Sequence, residues 1–243
     1  MQNVAIETAP WSEQIESDDQ VYREQVAYLF EKSAFYRKKL TDAGFASAKE
    51  VGGLKDICKL PFTEKDELRA TRDEAHPIGT HLAAASDELA RIYSTSGTTG
   101  LPSYIPLTHT DLATWIEISK RSYGASGIQP GEKMATTYSA GPFVAGVVLD
   151  TFAALGVCHI PVGPGNSERL MAAVKLLKPE VLGCTPSYAL YLAEWAEKQN
   201  IDIANSSVKR ILVAGEPGGG EPALRAKLEK AWGAKVTEVM GIG

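Results

Sequence analysis

The sequence predicts an α/β protein built on a mostly parallel sheet with flanking helices. Three observations lead there. Short apolar stretches at 133–138, 157–161, 180–184, 209–214 and 235–240 alternate with helix-spaced patterns near 144–155, 167–177, 187–199 and 221–232. That alternation is the mark of parallel βαβ units. Polar or glycine-rich residues follow the strands repeatedly, on the edge where such sheets bind ligands. Upstream, Tyr93-Ser94-Thr95-Ser96-Gly97-Thr98-Thr99-Gly100-Leu101-Pro102 holds seven Ser, Thr or Gly residues in ten after a short apolar lead-in.

The elements follow in chain order. Residues 20–40 read as one helix, with Val26, Leu29, Phe30 and Leu40 on its apolar stripe and Gly44 beyond its end. Leu60-Pro61-Phe62-Thr63 turns into a second helix, with Thr63 as N-cap and Asp66 three residues on. Thr108 or Thr110 caps a helix running to about Tyr123, with Trp115 and Ile118 toward the core. Gln129-Pro130-Gly131-Glu132 is a turn. Leu224, Leu228 and Trp232 form the apolar stripe of the last helix.

Composition narrows the function classes. At 243 residues, with 44% hydrophobic and 23% charged residues, the chain is an ordinary globular protein of one large or two small domains. A net charge of -5, with no basic cluster, argues against a nucleic-acid partner. Cys58, Cys158 and Cys184 are isolated and suit free thiols in a reducing cytoplasm. His76, His81, His109 and His159 lack metal-ligand spacing. The polar, acidic start from Met1 to Asp19 is no signal peptide, and the apolar stretch Gly141–Val157 is too short for a membrane span and carries Asp150. A cytoplasmic protein with neither nucleic-acid nor membrane partners is expected.

In the Ser/Thr/Gly segment, Gly97 and Gly100 allow close backbone approach. The hydroxyls of Ser94, Thr95, Ser96, Thr98 and Thr99 add donors for phosphate oxygens. A Walker pattern is absent. Gly163-Pro164-Gly165 misses a dinucleotide fingerprint because Glu168 stands where its third glycine would be, and Gly218-Gly219-Gly220 lacks the spacing. Both are read as turns. With no Gly-x-Ser-x-Gly elbow, a hydrolase is disfavoured.

Thr95-Ser96-Gly97-Thr98-Thr99-Gly100-x-Pro102 resembles the phosphate-binding loop of adenylate-forming enzymes, the acyl-CoA synthetase superfamily. Tyr36-Arg37 and Leu60-Pro61-Phe62-Thr63-Glu64-Lys65-Asp66-Glu67-Leu68-Arg69 resemble the N-terminal signature of its phenylacetate-CoA ligase branch. Thr185-Pro186-Ser187-Tyr188 and Ala214-Gly215-Glu216-Pro217 are similar to two further blocks of that branch. The resemblance runs over about residues 20–243 and covers the front part of the family's length. It implies a helical segment, 1–92, packed on the core, then a phosphate loop and an α/β nucleotide- and acid-binding subdomain, 93–243. The C-terminal lid domain and its adenylation lysine would lie beyond residue 243, so a fragment of a longer chain is expected.

The implied chemistry is ATP-dependent activation of an aryl carboxylic acid, phenylacetate- or benzoate-like, to an acyl-adenylate and then a coenzyme A thioester, with Mg²⁺ accompanying ATP. By resemblance, Thr95, Ser96, Gly97, Thr98, Thr99 and Gly100 hold ATP phosphates. Gly215, Glu216, Pro217, Met240 and Gly241 border adenine; Tyr138, Ser139, Gly141, Phe143 and Ala214 border the acid. No metal ligand is assigned within the chain. The sequence also departs from the family. The loop lysine's two usual positions are Leu101 and Ser103, and Met240 replaces the adenine-stacking tyrosine. Two alternatives stay open, an adenylating enzyme with a non-CoA acceptor and a non-catalytic nucleotide- or acid-binding remnant. The family often forms dimers, so a homodimer is admitted, although composition identifies no interface.

Overall fold

The computed structural model describes residues 4–95, 102–138 and 145–240. These form two compact units, 4–112 and 113–240. The first opens with α1 (Val4–Glu7), α2 (Trp11–Lys32), α3 (Ala34–Asp42), α4 (Ala48–Val51) and α5 (Lys65–Arg69). An antiparallel hairpin follows, β1 (Leu89–Ser94) paired with β2 (Tyr104–Thr108). The boundary expected between 92 and 93 falls inside β1, whereas the first unit holds all of β1 and β2 and ends at Leu112.

The single helix expected over 20–40 is two helices broken at Ser33. That residue is extended, with φ -105° and ψ 112°. Its hydroxyl accepts from Tyr36 N–H at 3.3 Å and donates to the His81 carbonyl at 3.2 Å. Serine competes well as an N-cap, and burial makes both bonds worth keeping. The apolar stripe runs through the break, because Val26 and Leu40 are both buried. The second helix start is also corrected. Glu64, not Thr63, is the N-cap of α5, and its N–H donates to Glu67 Oε2 at 2.7 Å. Glu67 reaches back over the first turn while Lys39 holds its other oxygen.

The second unit carries most of α6 (His109–Ala125), which begins within the first. Thr108 caps it. The Asp111 carboxylate accepts from Thr108 N–H at 2.8 Å, and Asp111 N–H donates back to Thr108 Oγ1 at 3.1 Å. Of the two apolar residues expected inward, Ile118 is 55% exposed. The inward face carries Ser119 and Tyr123 in line with Trp115 at i, i+4, i+8, and Ile118 stands about 100° away on the helix wheel.

Then come β3 (Lys133–Thr136), α7 (Ala145–Ala154), β4 (Cys158–Pro161), α8 (Ser167–Leu177), β5 (Val181–Cys184), α9 (Pro186–Lys198), β6 (Arg210–Val213), α10 (Pro222–Trp232) and β7 (Lys235–Glu238). All five strands are parallel, in the order β4-β3-β5-β6-β7. The expected strands and helices are present, each within two residues of its expected start.

Both faces of this sheet are buried, which is why its strands read as unbroken apolar runs. Ala135, Leu182, Cys184, Ile211 and Val213 pack with Leu170, Met171, Val174, Ala189, Leu192, Leu228 and Trp232 of α8, α9 and α10. Met134, Val181 and Leu212 point the other way, toward Tyr123 of α6, Phe152 of α7 and Leu155. The period of two thus divides each strand between two helical layers. No helix among the described residues is long and apolar enough to cross a membrane.

Candidate functional site

In the first unit, the Ser/Thr/Gly segment leaves and re-enters through a closed stem. Thr95 N–H donates to the Ser103 carbonyl at 2.9 Å, and Ser103 N–H donates to Thr95 Oγ1 at 3.0 Å. The pair extends the β1–β2 ladder one step past Ser94–Tyr104. Thr95 therefore closes the stem with the oxygen expected to face phosphate. Ser96–Leu101 lie outside the described residues, as do Ser139, Gly141, Phe143 and Gly241.

The second unit gathers the other expected residues at one sheet edge. With every strand parallel, Tyr138, Thr185–Tyr188, Ala214–Pro217 and Met240 all fall just past carboxyl ends. The order β4-β3-β5 reverses direction across β3, and crevices form at such switch points. A cleft of about 480 Å³ opens there, lined by Thr137, Tyr138, Pro164, Gly165, Thr185, Ser187, Tyr188 and Tyr191. Tyr188 and Tyr191 stack along one wall, with ring centroids 5.8 Å apart and planes 15° from parallel. Met240 is 81% exposed beyond β7.

Tyr138 forms the floor of the cleft. Its hydroxyl donates to the Cys184 carbonyl at 3.0 Å and to the Leu212 carbonyl at 3.2 Å, tying the end of β3 to β5 and β6. Burial pushes this phenol well above its ordinary pKa, so it remains a neutral donor. Tyr138→Phe is expected to cost about 1–2 kcal/mol, because two carbonyls lose a shared partner. Urea unfolding would read it, and an unchanged midpoint would refute the tie.

Glu216 sets the next wall. α9 begins with Thr185 as N-cap and Pro186 at its first position. Tyr188 N–H donates to Thr185 Oγ1 at 3.3 Å, and Ser187 N–H donates to Glu216 Oε1 at 2.7 Å. Pro186 has no N–H to satisfy. Glu216 is thus the anion at the α9 N-terminus, and the Ser187 hydroxyl and N–H hold its carboxyl below the usual range. Gly215, at φ +95°, makes the sharp turn that returns Glu216 to α9. What the Gly-Glu-Pro block leaves facing outward is Gly215 and the Pro217 ring, both exposed.

A depressed carboxyl pKa gives stability above the unfolded value of about 4.3 that is lost as pH falls through the folded value. Glu216→Gln should therefore flatten the acid limb of a melting-temperature profile and lower neutral-pH stability by up to about 1 kcal/mol. An acid limb identical to that of the parent chain would remove Glu216 from this role.

Other reactive groups near the edge are quiet. Cys184 is wholly buried, and burial, then the Glu216 carboxylate, push its thiol up to about 12. Burial lowers the pKa of His159, whose Nε2 lies 2.7 Å from Thr136 Oγ1. No group of three or more His, Cys, Asp or Glu residues that could hold a metal gathers among the described residues.

Residues 17–242 match the AMP-binding enzyme family. The chain belongs to that family. Among AMP-binding enzymes, a phenylacetate-coenzyme A ligase of Thermus thermophilus is 34% identical over 238 residues, 98% of this chain and 52% of that protein. One from Escherichia coli is 30% identical over 241 residues, 98% of this chain and 53% of that protein. An open conformation of 2-hydroxyisobutyryl-CoA ligase, solved in complex with 2-HIB-AMP and CoA, superposes with a TM-score of 0.88 at 26% identity, over 97% of this chain and 51% of that one. The chain spans about half the length of the curated relatives it matches. Its sheet and helices are those of the adenylate-forming CoA ligases.

Two parts of the cleft in this member of the AMP-binding enzyme family carry no motif in the sequence. Gly163-Pro164-Gly165, read as a plain turn, places Pro164 and Gly165 in the cleft because β4 ends beside β3. Tyr191 belongs to no motif, although a second tyrosine three residues after Tyr188 on a helix that starts at a strand end signals a shared face.

Proposed function

We propose that this chain supplies the nucleotide- and acid-binding part of an ATP-dependent acid–thiol ligase. An aryl carboxylate attacks the α-phosphorus of ATP, the bond to the β-phosphate oxygen breaks, and its electron pair leaves with pyrophosphate. The thiol of coenzyme A then adds to the acyl carbon, AMP departs, and the thiol proton is released. The observation that carries this reading is the cleft at the sheet's switch point, in a chain that the AMP-binding enzyme family spans almost end to end. The names of its relatives, phenylacetate-coenzyme A ligases, favour an aryl acid. The stacked tyrosines and Tyr138 suit an aromatic ring by edge or offset contact.

In this reading Thr95–Gly100 hold the ATP phosphates. Gly215, Glu216, Pro217, Met240 and Gly241 border adenine, and Tyr138, Ser139, Gly141, Phe143 and Ala214 border the acid. Glu216 acts by holding Gly215 and Pro217 in place, since its carboxylate is engaged by α9. Mg²⁺ enters with ATP as charge compensation, and no described side-chain cluster is assigned to it. Cytoplasmic location and a homodimer belong to the same proposal.

The test is aryl-acid-dependent ATP–pyrophosphate exchange on the longest polypeptide the gene encodes, with phenylacetate, benzoate and hydroxylated relatives. Exchange with one of them identifies the substrate class. ATP binding without exchange would favour the second reading, a non-catalytic nucleotide-binding protein, to which Leu101, Ser103 and the exposed Met240 already point. Transfer to an acceptor other than coenzyme A would appear as exchange without thioester formation.

A further inference from the structure

Arg69, the last residue of α5, and Arg72, three residues beyond it, reach the stem of the Ser/Thr/Gly segment. Arg69 Nε donates to Ser103 Oγ at 3.2 Å, while its Nη1 pairs with Asp66 Oδ1 at 2.8 Å. Arg72 Nη1 donates to the Pro102 carbonyl at 2.7 Å, and its guanidinium lies 4.9 Å from the centre of the Tyr104 ring. Each contact ties this corner to the residues on which the segment re-enters the hairpin.

The two side chains differ in what remains uncommitted. Asp66 balances the charge of Arg69. Arg72 has no carboxylate partner among the described residues, and its Nε is buried without an acceptor. A guanidinium carries five N–H donors in a planar fork. One of them has an acceptor among the described residues, and the Tyr104 ring and Pro102 carbonyl fix the plane of the rest. Burial and the Arg72 charge both lower the pKa of His81, which therefore stays neutral beside it. The result is an oriented cation, without a carboxylate partner among the described residues, at the exit of a hydroxyl- and glycine-rich segment. Phosphate oxygens are the anionic match to such a fork.

We propose that Arg72 binds the terminal phosphates of ATP and the pyrophosphate they become, with Arg69 holding the Ser103 side of the stem in position. The proposal rests on the reading that this segment receives ATP. In adenylation, negative charge grows on the departing pyrophosphate, so a cation fixed there stabilises the step more than one near the α-phosphate. It also accounts for a loop that has Leu101 and Ser103 where its family resemblance calls for lysine.

The test is calorimetric titration of the full gene product with ATP, AMP and inorganic pyrophosphate. Arg72→Gln should weaken ATP and pyrophosphate by about tenfold or more while leaving AMP within about twofold. Unchanged pyrophosphate affinity, or equal losses for ATP and AMP, would overturn the assignment and leave the ligase reading standing. A parent protein that binds neither ATP nor pyrophosphate would overturn both. A second measurement needs no variant: pyrophosphate, but not AMP, should slow labelling of Arg72 by an arginine-selective dicarbonyl, read by mass spectrometry. Equal labelling with and without pyrophosphate contradicts the proposal even if Arg72→Gln fails to fold.

Discussion

Trp232→Ala is expected to destabilise the chain by about 3–5 kcal/mol, the largest stability loss of the substitutions considered. Trp232 is fully buried at the end of α10, within the core that joins α8, α9 and α10 to the sheet. Its indole Nε1–H donates to the Ala189 carbonyl of α9 at 3.0 Å. Alanine leaves a void where two helices and the sheet converge, and that void cannot collapse without moving α9. Because α9 begins at the cleft with Thr185 and Ser187, the damage should reach the ligand edge as well. Trp232→Phe separates the two contributions, since it keeps most of the volume and removes the hydrogen bond, for a loss of about 1 kcal/mol. Guanidinium unfolding would measure both. A loss for the alanine variant no larger than that for phenylalanine would mean that packing at this point is not what holds α10.

The sheet was legible because its signal is local. A buried strand such as Val181–Cys184 is a short apolar run whatever its neighbours are, and the helix stripe Leu224, Leu228, Trp232 needs only its own spacing. Strand order was not legible, because β4-β3-β5-β6-β7 depends on which apolar runs meet in space. Ser33 shows the same limit at smaller scale. The stripe from Val26 to Leu40 continues past it, and the bond that makes the break favourable goes to His81, far along the chain. At the site, the motifs gave the location of the blocks but not the work of their side chains. The motif places Glu216 in a block expected to border adenine but does not show that its carboxylate caps a helix that starts 30 residues upstream at Pro186. Arg69 is the last residue of the Leu60–Arg69 motif, and Arg72 lies just outside it. Both are tied to the Ser/Thr/Gly segment only by the fold, which brings α5 and the turn after it to Pro102 and Ser103.

Gly183→Val is expected to be the most damaging substitution at the cleft itself. Gly183 sits in β5, directly behind Tyr138. A β-carbon there would lie 2.7 Å from Met134 Cε, 3.2 Å from Thr136 Cγ2 and 3.2 Å from Tyr138 Cε2. The three neighbours do not yield equally. Met134 ends in a flexible thioether and can swing away. Thr136 is held by His159, and Tyr138 by the carbonyls of Cys184 and Leu212. Even Gly183→Ala should therefore cost about 1–3 kcal/mol through overpacking, and valine more. The first movement left to the strand is to push Tyr138 up into the cleft. The variant should then lose acid affinity in the exchange assay along with stability, whereas Trp232→Phe should lose stability alone. A double-mutant cycle tests the cause. Met134→Ala removes a neighbour that can already move aside, so Gly183→Ala combined with Met134→Ala should lose close to the sum of the two single losses, within about 0.5 kcal/mol. A coupling larger than that would show that the strain at Gly183 runs through the methionine rather than through Thr136 and Tyr138.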